Sequence, residues 1–193
     1  MANTSAPFGF RQYSGNGSAP TYEQLAGQTA YNASAIYYGD PCQLDTNGLI
    51  IVGTGSATIA GVYAGCQYLS VSQKRTVWSN FWPGSDVASG NVVTSYYIND
   101  PNARFIAQTD ATGLTQAGVG ANVGFAIGTP NTASGISGAY IDVSTLSPST
   151  TTLPFRVIGL VTTPPGAPGT QAGAYNLAIV AFNSVTSKTL VGI

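Results

Sequence analysis

The residues that could perform acid–base or metal chemistry in this chain are seven carboxylates and two cysteines, because the sequence contains no histidine. The carboxylates are Glu23, Asp40, Asp45, Asp86, Asp100, Asp110 and Asp142. Without histidine the chain can form no Ser-His-Asp triad, no histidine-ligated zinc site and no histidine pH switch. Enzymatic chemistry would therefore have to come from paired carboxylates.

These acids could form two kinds of site, a glycosidase active site or a calcium site. A glycosidase needs two carboxylates on either side of the scissile bond, one of them with a raised pKa. Asp40, Asp45 and Asn47 offer the oxygen ligands that calcium prefers, although their spacing matches no EF-hand loop. Most of the acids, however, lie within three residues of a proline or glycine, where carboxylates commonly cap turns. We favour turn capping in both cases and predict no catalytic residue, no metal site and no cofactor.

The two cysteines, Cys42 and Cys66, are far enough apart to close a loop through a disulfide. Residues 1–10 lack both a basic start and a continuous apolar stretch, so we predict no signal peptide. Disulfides persist mainly in exported proteins. We therefore favour two reduced, buried thiols.

Charged residues are sparse: they make up 7% of the chain, with six basic and seven acidic side chains, where a typical soluble domain carries about 25%. The basic residues are scattered, and Lys74-Arg75 is the one adjacent pair. Nucleic-acid binding needs clustered cations to displace phosphate counterions, so we exclude it. The longer charge-free stretches are interrupted by Gly, Ser, Thr or Pro, and we predict no membrane-spanning helix.

Aromatic residues are concentrated at one place in the sequence. Trp78, Phe81 and Trp82 lie close together, and Tyr96 and Tyr97 follow on the next predicted hairpin. Such a cluster can act as a stacking platform for sugars, since aromatic rings offer a large flat apolar surface. It can equally form part of the core or a subunit interface. We favour the core or the interface.

The elements that must position these residues are short strands separated by turn signals, because β-branched and aromatic residues alternate with Gly, Pro, Asn and Asp clusters. No apolar period typical of a helix persists for three turns. The predicted strands are Asn32–Tyr38, Leu49–Val52, Ala57–Leu69, Thr76–Trp82, Asn91–Ile98, Ala103–Thr109, Ala121–Ile127, Ala139–Thr145, Leu153–Thr162 and Ala174–Asn183. This pattern predicts an all-β fold, an antiparallel β-sandwich or barrel (jelly-roll-like). The proline-rich run 163–169 is predicted to be an exposed loop.

Residues 1–30 differ from the rest of the chain, because their apolar side chains are irregularly spaced among Asn, Ser, Gly and Pro. We predict an extended N-terminal arm over residues 1–30 and a β-sandwich or barrel body over residues 31–193. Thr21–Gln24 matches a capping box and predicts at most one helical turn.

The aromatic residues of the arm are expected to dock either on the body or on a neighbouring subunit. We name as candidate inter-subunit contacts Phe8, Phe10, Arg11, Tyr13 and Tyr22. A chain that lacks residues 2–20 is expected to keep a folded body and to lose contacts with its partners.

Several short phrases, spread over most of the chain, resemble a family of tailed-bacteriophage capsid cement (decoration) proteins. They are Met1-Ala2-Asn3, Ala6-Pro7-Phe8-Gly9-Phe10-Arg11, Gly39-Asp40-Pro41, Gly65-Cys66-Gln67-Tyr68, Trp82-Pro83-Gly84, Asp100-Pro101-Asn102-Ala103-Arg104-Phe105 and Arg156-Val157-Ile158-Gly159-Leu160. Each is a short structural phrase rather than a catalytic signature.

The resemblance implies a non-enzymatic virion protein that is made in the host cytoplasm and binds the outer surface of the capsid. Its expected partners are the major capsid protein and itself, in a homo-oligomer that we expect to be a trimer at capsid threefold positions. It implies no cofactor. Two other classes stay open: a glycan-binding β module of a phage tail or fibre, which would use Trp78 and Trp82, and an enzyme of polysaccharide metabolism.

Overall fold

The computed structural model describes residues 3–13, 23–150, 152–161 and 173–188. Half of the structure is strand, arranged in two antiparallel sheets, one of which is curled into a half-barrel. The described residues contain no α-helix, and so none that is long and apolar enough to cross a membrane. A single turn of 3₁₀ helix covers Gln116–Gly118. The all-β prediction is confirmed.

The described part of the chain forms twelve strands. In order they are β1 (Arg11–Gln12), β2 (Gln24–Thr29), β3 (Pro41–Leu44), β4 (Ile50–Val52), β5 (Gly61–Ser70), β6 (Arg75–Ser79), β7 (Val93–Ile98), β8 (Arg104–Gln108), β9 (Asn122–Asn131), β10 (Ile136–Ser147), β11 (Phe155–Leu160) and β12 (Leu177–Phe182). Sheet I has the order β1-β8-β12-β11-β9-β10. Sheet II has the order β2-β7-β5-β3-β4, with β6 paired to β5.

A cluster of phenylalanine rings fills the core beneath sheet I. Phe155 stands at its centre, with the ring of Phe10 stacked on it at a centroid distance of 4.4 Å. Phe105, Phe125 and Phe182 surround the same ring at 5.8 to 6.3 Å. Because successive strand residues face opposite sides of a sheet, each of these residues turns its sequence neighbours outward. The rings therefore fix which side chains sheet I presents to solvent.

Sheet II encloses a second core on its concave side. Tyr63, Trp82 and Ile36 are fully buried there. The curl brings β2 close to β4, since a Cβ added to Gly27 would lie 3.0 Å from Cγ1 of Ile50. The two cores are separate clusters, and sheet II contributes to the core of sheet I through residues such as Ile98.

The N-terminal segment is fastened to the body. The side-chain amide of Gln108 donates to the carbonyl of Thr4 at 2.9 Å and accepts the N–H of Ala6 at 2.8 Å, in the manner of a strand neighbour. Phe10 donates its backbone N–H to the carbonyl of Gly39 at 2.9 Å, and its side chain is only 1% exposed. Removing residues 2–20 would therefore remove a core ring together with the segment.

Gly9 shows why this segment follows its path. Its φ of +75° lies in the left-handed region, and a Cβ at this position would come within 2.7 Å of the Cβ of Ser137. A glycine is the residue that meets both conditions without strain. Because Gly9 lies so close to Ser137, the next residue, Phe10, packs in the phenylalanine cluster.

Three local predictions are corrected by the structure. Asn32–Tyr38 is not a strand, because it makes two isolated bridges instead of a continuous ladder, Ile36 with Trp82 and Tyr38 with Ile136. β2 and β3 form where no strand was predicted. Gln24 begins β2 and pairs with Ile98, so no helical turn reaches it. Pairing with β7 outweighs local propensity here.

Other predictions fall partly or wholly outside the described residues. Thr21 and Tyr22, at the start of the predicted capping box, and the proline-rich run 163–169 belong to this group. The remaining predicted strands are found with shifted ends. The largest change is the β9–β10 hairpin, which continues to a turn where the Asn131 side chain accepts the N–H groups of Ala133 and Ser134 at 3.1 Å.

Replacing Phe10 by alanine should destabilise the folded body by about 3–5 kcal/mol, because the substitution leaves a cavity beside Phe155. Replacing Phe8, which is only partly buried, should cost no more than about 1 kcal/mol. Urea unfolding followed by circular dichroism measures both values. Equal, small effects of the two substitutions would contradict the placement of Phe10 in the core.

Candidate functional site

Asp40 is the one buried carboxylate among the described residues. Its Oδ1 accepts a hydrogen bond from the Ser137 hydroxyl at 2.5 Å, and its Oδ2 accepts the N–H of Tyr37 at 2.7 Å. Burial raises the pKa of Asp40, and these hydrogen bonds partly oppose that shift. Ser137 lies on β10, so this carboxylate ties the loop before β3 to sheet I.

Four of the other carboxylates cap their own turns, whereas Asp86 accepts the Ser70 hydroxyl and, at 2.8 Å, the N–H of Ser72. Asp45 accepts the N–H groups of Asn47 and Leu49, both at 2.8 Å, and the Leu49 bond is the main cause of its lowered pKa. The predicted turn-capping role is thus confirmed for Asp45, and it holds equally for Asp100, Asp110 and Asp142. Within the described ranges, no three potential metal-ligating side chains come together.

A surface cleft of about 310 Å³ lies beside the N-terminal segment. Its described lining includes Ser5, Pro7, Gln108, Thr109, Asp110, Ala111, Tyr140 and Tyr175. Asp110 is the one carboxylate among these residues, and its two oxygens accept the N–H groups of Thr112 and Val143 at 2.8 and 2.9 Å. A glycosidase would need a second carboxylate, which the described lining does not provide.

The outer face of sheet I carries three of the six basic side chains of the protein, Arg11, Arg104 and Arg156. All three are exposed. Arg104 on β8 and Arg156 on β11 both pair with Ala181, which lies between them on β12. Two strand spacings therefore separate their Cα atoms, a distance of about 10 Å. We call this surface the arginine face.

Aliphatic side chains lie between the cations. Ile106 of β8 pairs with Arg11 on one side and with Ile179 of β12 on the other, so these three residues share the arginine face. Ile158 is exposed at an irregularity of β11 next to Arg156. The surface thus combines a positive charge with apolar area, and Ala181 leaves the space between two arginines uncrowded.

The predicted inter-subunit residues end up in different places. Arg11 stands on the arginine face with its guanidinium 4.9 Å from the ring centroid of Phe8. Tyr13 lies beside this face, where its backbone N–H donates to the carbonyl of Arg104 at 2.8 Å. Phe10 is a correction: its ring is in the core, where a neighbouring subunit cannot reach it. Tyr22 lies outside the described residues.

Arg104 and Arg156 were missed as site residues, although the sequence contains a signal for them. Each arginine of the face stands directly beside a core phenylalanine, in the pairs Phe10-Arg11, Arg104-Phe105 and Phe155-Arg156. In a strand, two successive residues face opposite sides. Two of these pairs lie within β8 and β11, and Phe10 directly precedes Arg11 at the start of β1, so the three cations lie on one surface.

The predicted aromatic cluster does not form one unit. Trp82 is fully buried, and its indole N–H donates to the carbonyl of Ala33 at 3.2 Å. Phe81 stacks on Tyr37. Trp78 of β6 is 67% exposed and stacks on Tyr96 of β7, across the intervening strand β5. The favoured core role therefore applies to Trp82, which leaves no place for this residue in a sugar platform.

Both cysteines are free and buried, as predicted. The Cys42 thiol donates to the carbonyl of Gly61 and the Cys66 thiol to that of Phe81, at 3.4 and 3.3 Å. Burial is the main cause that raises the pKa of both thiols, that of Cys66 to about 11. Neither is a nucleophile at neutral pH.

Comparison with known proteins adds no relative to these observations. No protein-family model, no curated protein and no solved structure matches the chain at a significant level. The function must therefore be argued from the two surfaces described above, the arginine face and the exposed Trp78–Tyr96 pair.

Replacing Asp40 by asparagine should change how stability depends on pH. Burial raises the folded-state pKa of Asp40 above its ordinary value of 3.8. The folded state then holds the proton more tightly, so this group stabilises below the unfolded value and loses that effect as the pH rises through the folded value. We expect urea unfolding between about pH 3 and about pH 8 to show that the free energy of unfolding of the wild type rises relative to that of the variant as the pH falls.

Asp45→Asn is the matched control, because the pKa of Asp45 is lowered and the sign reverses. On acidification, the free energy of unfolding of the wild type should fall relative to that of Asp45→Asn. A difference between wild type and Asp40→Asn that does not change with pH would refute the burial of this charge.

The thiols of Cys42 and Cys66 should resist modification in the folded protein, because both are buried and protonated. With a disulfide reagent such as DTNB at about pH 8, we expect labelling of both only after denaturation, measured by absorbance. Rapid labelling of either thiol in the native protein would show that the core of sheet II is open.

Proposed function

We propose that this chain is a non-catalytic virion protein that decorates the capsid: it binds the outer surface of the major capsid protein shell and reinforces the head. The resemblance to phage cement proteins supports this class of function. The observation that carries the proposal is the arginine face, where half of the basic side chains of a charge-poor protein share one sheet surface. A surface that extends across β1, β8, β12 and β11 suits a protein partner.

The arginine face has the composition of a protein-binding surface. Arginine is enriched at such interfaces, because its guanidinium is weakly hydrated and forms paired hydrogen bonds with a carboxylate. Aliphatic area between the cations contributes roughly 25 cal/mol per Å² removed from water, before the costs of association. The expected partner surface is therefore acidic, with apolar patches between its carboxylates.

Between its arginines the docking surface is aliphatic, so few ions other than these three lose hydration when the face is covered. A homo-oligomer, which we expect to be a trimer, would present several copies of the arginine face to one shell. Avidity then allows each individual contact to be weak. Light scattering of the purified protein tests the oligomeric state.

Charge reversal on the arginine face should weaken decoration strongly. We expect Arg104→Glu/Arg156→Glu to weaken binding about tenfold or more, in cosedimentation with heads assembled from the major capsid protein of the same genome. Lys74→Glu/Arg75→Glu is the matched control, with the same change in charge on the exposed β5–β6 hairpin. Binding by the wild type should also weaken with rising salt, since exposed charges are screened.

Unchanged circular dichroism of both double variants shows that each is folded. Equal binding of the two double variants to heads would contradict the assignment of the arginine face as the docking surface. Failure of the wild type to bind heads at all would remove the proposed function itself.

A further inference from the structure

A second surface, on the convex side of sheet II, has a different chemical character. Trp78 of β6 and Tyr96 of β7 stack across β5 with ring centroids 5.5 Å apart and planes inclined by 15°. The contact covers one face of the indole, yet Trp78 remains 67% exposed. The stack therefore holds an indole ring in a fixed plane with its other face toward solvent.

A polar group is held beside this ring. Gln67 of β5 pairs in register with Trp78 on one side and with Thr94 on the other, so its side chain emerges between the two strands. The Tyr96 hydroxyl donates to Oε1 of Gln67 at 3.4 Å. This bond uses the amide oxygen of Gln67 and leaves the two amide N–H groups, the donors of the side chain, for a ligand.

The residues that share this face are uncharged. Register places on it Ala26 and Gln28 of β2, Thr94 and Tyr96 of β7, Gln67 and Leu69 of β5, and Thr76 and Trp78 of β6. An anionic or cationic ligand would find no counter-charge among these residues. A ligand with an apolar flat side and neutral hydroxyl groups matches both the ring and the amide.

We infer that Trp78, Tyr96 and Gln67 form a binding platform for a neutral hexopyranose unit of a polysaccharide. The C–H groups on one side of a pyranose ring carry a slight positive charge, and the face of an indole is negative, so the two stack. The hydroxyl groups at the ring edge accept hydrogen bonds from the Gln67 amide. An exposed site on a convex surface leaves room for a unit within a long chain.

This platform is independent of the arginine face. It lies on sheet II, and the arginine face lies on sheet I, so either surface can be altered without touching the other. The convex side of β5 and β7 is exposed only at one end. At the other end sheet I covers it, since Val62 and Ile98 belong to the core of sheet I. Saccharide binding would add an adhesive function to a protein that the proposal above places on the outside of a capsid.

Isothermal titration calorimetry of the full chain tests the platform with maltohexaose, cellohexaose, laminarihexaose, chitohexaose and mannohexaose. We expect saturable binding of at least one of them, weakened about tenfold or more by Trp78→Ala and several-fold by Gln67→Ala. Ile127→Ala, which removes an exposed aliphatic side chain from β9 of sheet I, is the control and should bind as the wild type does. The fluorescence of buried Trp82 reports that each variant is folded.

Two results would overturn the inference. One is the absence of binding to all five oligosaccharides, and the other is binding that Trp78→Ala leaves unchanged. Light scattering, which measures the oligomeric state, distinguishes one further outcome. If no saccharide binds the wild type and Trp78→Ala dissociates an oligomer, the indole is covered by a second copy of the chain instead.

Discussion

The contact on which the rest of the structure depends is the stacking of phenylalanine rings around Phe155. Four strands of sheet I and the N-terminal segment each contribute one ring to this cluster. Because strand residues alternate between two faces, burial of Phe10, Phe105 and Phe155 forces their arginine neighbours outward. One packing requirement thus organises the core, attaches the N-terminal segment and creates the arginine face. A charge-poor protein places half of its cations on one surface without any dedicated element to hold them.

Sheet II buries its apolar side chains in a different way. It curls, so that β2 approaches β4 and the concave side closes around Tyr63 and Trp82. Its convex side meets the core of sheet I at one end of β5 and β7 and stays open at the other, where Trp78 is exposed. Asp40 links the two parts through Ser137, at the energetic cost that burial of a carboxylate carries. The open end of a sheet that is otherwise filled on both sides is what leaves an aromatic pair available to a ligand.

Much of the fold could be predicted from local pattern, and less of the site. Alternation and turn residues predicted the all-β class and most strands, because both signals are local. β2 was missed since Gln24–Thr29 carries few strand formers and depends on the pairing partner β7. The pattern left open whether Phe10 docks on the body or on a neighbour and whether Trp82 lies in the core or an interface, and only packing decides that both rings are buried. The arginine face was missed because Arg11, Arg104 and Arg156 are far apart in the sequence and meet only through the order of the strands.

The central claim, that the arginine face docks on a capsid shell, is tested most directly by the orientation of the protein on a head. Electron cryomicroscopy of decorated heads, made from the major capsid protein of the same genome, would show this orientation. The account predicts regular density on the outer surface, with the outer face of sheet I against the shell and Arg11, Arg104 and Arg156 at the contact. Density in which this face points to solvent, or heads with no regular density after incubation with the protein, would contradict it.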